Sequence, residues 1–373
     1  MSISSFWAAE LNEARATFAT FLKDLLARDI VDAVYVGLRA PQSAAVVPAL
    51  VHNAGLLDNA DPLAPAMLIN GARAVAALTV GETPGRIAAV LRPCEIRALV
   101  ELAKLKQASL QHVLLIGMDC AGTYEVGDYV HVQPTDGDPA VQLLAQAAEG
   151  HIRPHNGLTL RPACRMCEHL VPTNAQITVG FIGVDGLMVE MDDEMAQRLG
   201  LTWPKIPAGD LSFRQDIVQR LVVERTEQRD EAMAAFKEQA SGPAALAGYF
   251  ATCQRCHNCM VACPLCYCKE CLFRTAALEH EPGRYLQYAE KKGATRLLAD
   301  TVLFHLTRLN HMSTSCVGCG LCESACPSDI PLTVLFRTVS AHTQALFDYL
   351  PGRRLDEEMP LMTFREAELE DIH

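Results

Sequence analysis

Two runs in the C-terminal third carry the same arrangement of thiols: Cys253-x-x-Cys256-x-x-Cys259-x-x-x-Cys263-Pro264 and Cys316-x-x-Cys319-x-x-Cys322-x-x-x-Cys326-Pro327. Three thiolates at intervals of three residues let one tight loop present sulfurs to three corners of a cubane. A fourth starts the next element, and the proline turns the chain away. This is the bacterial pattern of [4Fe–4S] ligation, in which the fourth cysteine of each run serves the other cluster. The spacing assigns Cys253, Cys256, Cys259 and Cys326 to one cluster, and Cys316, Cys319, Cys322 and Cys263 to a second. Zinc domains use cysteine pairs or mixed Cys and His with longer gaps. A disulfide framework belongs to chains much shorter than 373 residues. About fifty residues separate the runs, so this two-cluster region carries an insertion.

Cys266, Cys268 and Cys271 follow the first run in CPLCYCKEC and are left over if three clusters take the other twelve cysteines. They suit a fourth cluster with a non-cysteine fourth ligand, an exchange with an N-terminal ligand, or zinc together with His257; they are otherwise idle. Three thiols so close in sequence are rarely idle, and a metal role is the expectation.

The remaining thiols, Cys94, Cys120, Cys164 and Cys167, stand in a region otherwise free of cysteine. Short apolar runs at Val31–Val36, Arg86–Leu91 and His112–Gly117 read as strands, and Cys94 to Lys106 as a helix. Residues 5–28, with Phe6, Leu11, Ala14, Phe18, Phe21, Leu22 and Leu25 at helical spacing, and the Ala/Val-rich Ser43–Ala54 also read as helices. Strands alternating with helices predict an α/β domain with a mostly parallel sheet. Cys94 and Cys120 each follow a strand by three residues, which puts both on the carboxyl rim where open α/β sheets bind ligands. After a Pro/Gly/His-rich connection comes Cys164-x-x-Cys167, then a strand pair at Gln176–Ile182 and Leu187–Glu190. Four convergent thiolates suit a third cluster or a zinc; the alternative is scattered buried cysteines acting as small apolar residues. Asp210–Gln239 reads as a long charged helix ending at Ser241-Gly242-Pro243. Ala294–Asn310, with Leu297, Leu298, Val302, Leu303 and Leu306 inward, and Pro331–Leu350 read as helices of the second region. The expected organisation is an α/β domain over 1–243, a helical two-cluster ferredoxin-like domain over 244–350 and an acidic tail over 351–373.

The segments Arg92-Pro93-Cys94-Glu95-Ile96-Arg97-Ala98-Leu99, Gly117-Met118-Asp119-Cys120, Cys164-Arg165-Met166-Cys167 and Ala175-Gln176-Ile177-Thr178-Val179-Gly180, in that order, resemble the beta subunits of coenzyme F420-dependent hydrogenases and formate dehydrogenases. The resemblance covers roughly residues 86–190. It implies an FAD-bearing domain beside one [4Fe–4S] cluster held by Cys94, Cys120, Cys164 and Cys167, and a role as an electron-transfer subunit. The chain departs from the family pattern at Gln176, where an aspartate is usual, and lacks the Cys/Gly-rich N-terminal segment of many members. Flavin contacts are expected among Arg92 and Arg97, beside a helix N-terminus that suits a pyrophosphate, Thr173 and Asn174 at the start of the family strand, and Gly183. The run Gly180-x-x-Gly183-x-x-Gly186 is not the dinucleotide fingerprint.

The formal charge of −12 argues against nucleic acid, and much of it lies in Leu355–His373. No signal segment and no apolar run of membrane-spanning length is evident, so a soluble, cytoplasmic and reducing, anaerobic setting is expected. The leading reading is an oxidoreductase subunit with FAD and three or four [4Fe–4S] clusters. It exchanges hydride with a soluble carrier, F420 or NAD(P)H, and electrons with a formate dehydrogenase alpha subunit, a hydrogenase or a heterodisulfide-reductase-like partner. The alternative is a flavin-free ferredoxin-like relay, and a quinone-linked subunit a third.

Overall fold

The computed structural model describes residues 2–6, 13–41, 45–81, 85–132, 137–154, 156–200, 206–275, 278, 281–295, 300–360 and 362. Among the described residues seven strands form one sheet: β1 Ser2–Phe6, β2 Ala33–Arg39, β3 Val46–Val51, β4 Ile87–Leu91, β5 Val113–Met118, β6 Ile177–Gly180 and β7 Met188–Asp192. Their order is β1-β7-β6-β5-β4-β2-β3. The central neighbours β2, β4, β5 and β6 run parallel, whereas β3, β7 and β1 pair antiparallel at the two sides. The sheet is therefore mixed, with a parallel centre.

Two helical expectations fail here. Ser43–Ala54 contains the edge strand β3, in which Pro48 lies opposite Gly37. Proline breaks a helix interior but is tolerated on an edge strand, and Val46, Val47 and Val51 favour the pleat. Within 5–28, Ser2–Phe6 is a strand paired with β7, and the helix α1 starts only at Ala14 and runs to Ala27; residues 7–12, including Leu11, lie outside the described residues.

Alternation along the central strands divides the core in two, because successive side chains point to opposite faces. Val34, Val36, Ala88, Val90, Ile116 and Met118 face one cluster, together with α1, α4 (Pro139–Glu149) and part of α6 (Ala208–Gln239). Tyr35, Ile87, Ala89, Leu91, Val113 and Leu115 face the other. That second cluster joins α2 (Gly71–Thr79) and α3 (Pro93–Lys104) to Phe250, Met260, Phe304, Leu335 and Phe336 from the cysteine-rich half. The cysteine-rich half thus packs over one face of the sheet.

Helix α6, with 32 residues and about 48 Å long at 1.5 Å per residue, serves both halves. Ile217 and Leu221 enter the first cluster and Phe236 the second. Its Arg214 forms a two-pronged pair with the fully buried Asp119 (2.6 and 2.8 Å), which also accepts from the backbone N–H groups of Phe181 and Ile182 (2.9 Å each). The chain after 346 folds back on α3: Gly352 N–H and the Tyr349 hydroxyl both donate to the buried Glu101 (2.8 and 2.7 Å).

The cysteine-rich half contains the short helices α7 (Asn258–Ala262) and α9 (Leu321–Ser324), and the longer α8 (Thr301–Met312) and α10 (Leu332–Leu346). Helix α8 presents a different face from the one expected. Leu303 and Leu306 are exposed, Val302 is half-buried, and Phe304, His305, Arg308, Leu309 and Met312 are inward. Leu297 and Leu298 lie outside the described residues. Among the described residues no helix is long and apolar enough to cross a membrane.

Candidate functional site

The carboxyl ends of β4 and β5 deliver the first pair of thiols. After β4, Arg92 opens α3: its backbone N–H donates to the Glu95 carboxylate (2.8 Å), fixing the turn that carries Cys94. After β5, Cys120 N–H donates to Leu170 O (2.8 Å), tying that rim to the loop behind Cys167. Cys164 rides on α5 (Pro162–Arg165). One cavity is lined by Cys94, Cys120, Cys164 and Cys167, together with Met67, Arg92, Arg161 and Arg225. Gly318 and Cys319, from the second cysteine run, complete its wall.

Cys319 also lines the neighbouring cavity, with Cys263, Cys316, Cys322 and Arg308. That set takes its fourth thiol from the first run. Burial pushes the thiols of Cys263, Cys319 and Cys322 up, Cys319 to about 12, and the other thiols of the set add to the effect. Cys253 and Cys259 form a third group with Cys256 and Cys326. Burial lifts Cys253 and moves Cys259 to about 11, with charges on Cys256 and Cys326 pushing the same way. Buried thiols of this kind resist ionisation unless a metal supplies the opposing charge.

Among the described residues no three His, Cys, Asp or Glu side chains converge closely enough to hold a single metal ion. The thiols ring cavities instead, an arrangement that fits a multi-iron cubane with all-thiolate ligation better than a lone tetrahedral zinc. Cys266, Cys268 and Cys271 line a further cavity with Arg73, Met260 and Arg274. Burial moves Cys266 up to about 11. His257 is not part of that lining; its ring packs against Phe304, 4.7 Å between centroids.

Basic and polar side chains that sequence reading left unassigned surround these thiols. Arg161 is buried, donating to Thr123 Oγ1 (2.8 Å) and Ser324 Oγ (3.3 Å), with Nη2 3.8 Å from Cys164 Sγ. Thr123 N–H donates to the same sulfur (3.3 Å). Burial alone would raise the Cys164 thiol, but Arg161 and these hydrogen bonds bring it below its ordinary value. Arg308 Nη1 donates to Cys259 Sγ (3.0 Å), and His305 Nε2 lies 3.4 Å from Cys253 Sγ. The one sequence signal for the last two was their interruption of the apolar run in α8.

The expected flavin contacts do not gather in one place. Arg92 lines the first thiol cavity and an adjoining cleft with Tyr35, Pro48, Met67, Leu68, Ile69 and Glu95, where its guanidinium donates to Ala64 O (2.7 Å) and Ala66 O (3.1 Å). Arg97 is buried and donates to Pro351 O (2.9 Å) and Val317 O (3.3 Å), which anchors the second cysteine loop. Asn174 Nδ2 donates to Gly352 O (2.9 Å) and Arg353 O (3.1 Å), and Thr173 beside it is exposed. Gly183, at φ +66°, lies against α6, where a Cβ would come within 2.9 Å of the Arg214 Cα. Gln176 Oε1 accepts from Leu115 N–H (2.8 Å), closing the β5–β6 edge.

Residues 311–331 match the 4Fe-4S binding domain. The chain is 28% identical over 302 residues to the F420-dependent formate dehydrogenase subunit beta of Methanocaldococcus jannaschii, covering 74% of this chain and 75% of that protein. Over about three quarters of its length the chain is similar to F420-dependent formate dehydrogenase beta subunits. A second relative, F420-dependent formate dehydrogenase 1 subunit beta of Methanococcus maripaludis, is 26% identical over 307 residues, covering 74% of each chain. A chain of the F420-reducing [NiFe] hydrogenase complex of Methanosarcina barkeri, from a xenon-derivatised structure, aligns at a TM-score of 0.42 and 14% identity over 63% of this chain and 92% of its own. These relatives are oxidoreductase subunits, and the C-terminal half of this chain includes a match to an iron–sulfur binding domain.

Proposed function

We propose that the protein is the electron-transfer subunit of an oxidoreductase complex. It would exchange hydride with a soluble carrier, F420 or NAD(P)H, and single electrons with a catalytic partner of the formate dehydrogenase alpha, hydrogenase or heterodisulfide-reductase type. The observation that carries this reading is Cys319, which lines both the cavity of Cys94, Cys120, Cys164 and Cys167 and that of Cys263, Cys316 and Cys322. Arg308 extends the row, lining the second cavity while bonded to Cys259 of the third group.

The cleft shared by Met67 and Arg92 is the site we assign to FAD, at the carboxyl ends of parallel strands and against the first thiol cavity. Met67, Leu68 and Ile69 offer apolar wall to a ring system, and Arg92 a cation. Asn70, next in the chain, keeps its Nδ2 buried without a partner. Of the expected contacts, Arg92 is the one at this cleft. When bound, a flavin converts hydride transfer into single-electron exchange, and each cubane exchanges one electron. The protein's part is to hold these groups in a row, exclude water from the buried thiols and supply fixed positive charge beside them.

The test is anaerobic reduction of the purified full chain. Bleaching of a bound flavin by reduced F420 or by NAD(P)H, followed by bleaching of the cluster absorbance, supports the reading. A flavin-free protein whose clusters respond to neither carrier refutes it.

A further inference from the structure

Helix α8 belongs to the insertion between the two cysteine runs, and it aims two polar side chains at one group of thiols. His305 and Arg308 are one turn apart on its buried face, 1% and 3% exposed. Arg308 Nη1 donates to Cys259 Sγ at 3.0 Å and Nη2 to Cys259 O at 3.1 Å. Its guanidinium lies between two rings, with its carbon 5.6 Å from the Phe304 centroid and 4.8 Å from that of Phe336. His305 stacks flat on Phe250, 4.1 Å between centroids at 3°, with Nε2 3.4 Å from Cys253 Sγ. Its Nδ1 is buried with no partner. A thiolate only accepts hydrogen bonds, so the tautomer that satisfies this contact carries its proton on Nε2.

We propose that Arg308 and His305 are positioning residues that raise the reduction potential of the iron–sulfur centre held by Cys253, Cys256, Cys259 and Cys326. This rests on the cluster reading of the proposed function. Reduction of a four-iron centre adds one electron and no proton, so the centre gains one unit of negative charge. Hydrogen bonds to sulfur and a fixed cation at low dielectric stabilise that more negative state. The guanidinium stays charged at every working pH. Arg308 also lines the cavity of Cys263, Cys316, Cys319 and Cys322, so its charge acts on both centres while its sulfur hydrogen bond acts on one. Exposed Cys256 places the favoured centre at the surface end of the row, which makes α8 the element that draws an electron outward.

The experiment is an EPR-monitored redox titration of the full chain, purified without oxygen, with iron counted for each variant. Cys256→Ser identifies the signal of the first-run centre. Arg308→Gln is expected to lower that midpoint by about 59 mV, a tenfold change in the oxidised-to-reduced ratio at fixed potential, and to lower the second centre by less. Arg308→Lys keeps the charge, so the second centre stays near its wild-type value while the first still falls. His305→Phe keeps the stack, removes the donor and lowers the first centre alone. Unchanged midpoints at wild-type iron content overturn the inference. If Arg308→Gln loses iron, the Arg308→Lys and His305→Phe midpoints decide in the same way. Wild-type protein without iron overturns the cluster reading itself, and this inference with it.

Discussion

Arg161 and Ser324 join the two halves of the molecule: the guanidinium, three residues before Cys164, donates to the hydroxyl two residues after Cys322 at 3.3 Å. Ser324 in turn donates to Glu125 (3.0 Å), and Arg161 holds Thr123 (2.8 Å), whose N–H faces the Cys164 sulfur. One buried cation therefore fixes the first thiol cavity to the second cysteine run. Replacing it by Ala leaves Thr123 and Ser324 without this donor. We expect Arg161→Ala to lower stability by about 2–3 kcal/mol, read as the urea midpoint of the iron-loaded protein. Wild-type stability in the variant would show that the contact is dispensable.

Gly320 makes the same junction sterically. It holds φ +73°, and a Cβ there would stand 2.2 Å from the Ala163 Cβ, next to Cys164. Gly320→Ala must spread α5 from the second cysteine loop as well as strain the backbone. The expected cost is about 2–4 kcal/mol, with loss of iron from the centres on either side; Ala163→Gly should recover part of it by removing the facing methyl. Full iron content and an unshifted melting temperature in Gly320→Ala would contradict the packing described.

The acid limb of stability should depend on Asp138. Burial would raise this carboxyl, but hydrogen bonds and charge from Arg15, the Ala140 N–H at the start of α4, and Arg39 bring it below its ordinary 3.8. A depressed carboxyl stabilises the fold fully above its unfolded pKa and loses that contribution as pH falls through the folded value. Asp138→Asn should cost about 1 kcal/mol at pH 7 and flatten the decline of the denaturation midpoint below pH 4. A decline as steep as wild type would assign the acid limb to other groups.

What the sequence made legible follows from how local each signal is. The two cysteine runs write their ligand spacing into consecutive residues, β4 and β5 are short apolar runs with clear ends, and α3 repeats its apolar residues at helical spacing. Pro48 was the available clue that Ser43–Ala54 is not a helix, outweighed by its Ala/Val content. The inward face of α8 differs from the one its leucines suggest because His305 and Arg308 carry no apolar signal, and each answers a thiol more than forty positions away. Arg97 looked like a pyrophosphate ligand from its place at a helix start; its partner carbonyl, Pro351 O, lies 254 positions on and nothing nearby in sequence announces it.

A row of iron–sulfur centres beside a flavin fixes a stoichiometry, which iron and acid-released flavin per chain would report in protein purified without oxygen. We expect about twelve irons, from three four-iron centres, and about one flavin; about sixteen would add a centre at Cys266, Cys268 and Cys271. About eight irons and no flavin would contradict it, leaving a two-cluster relay on an α/β domain.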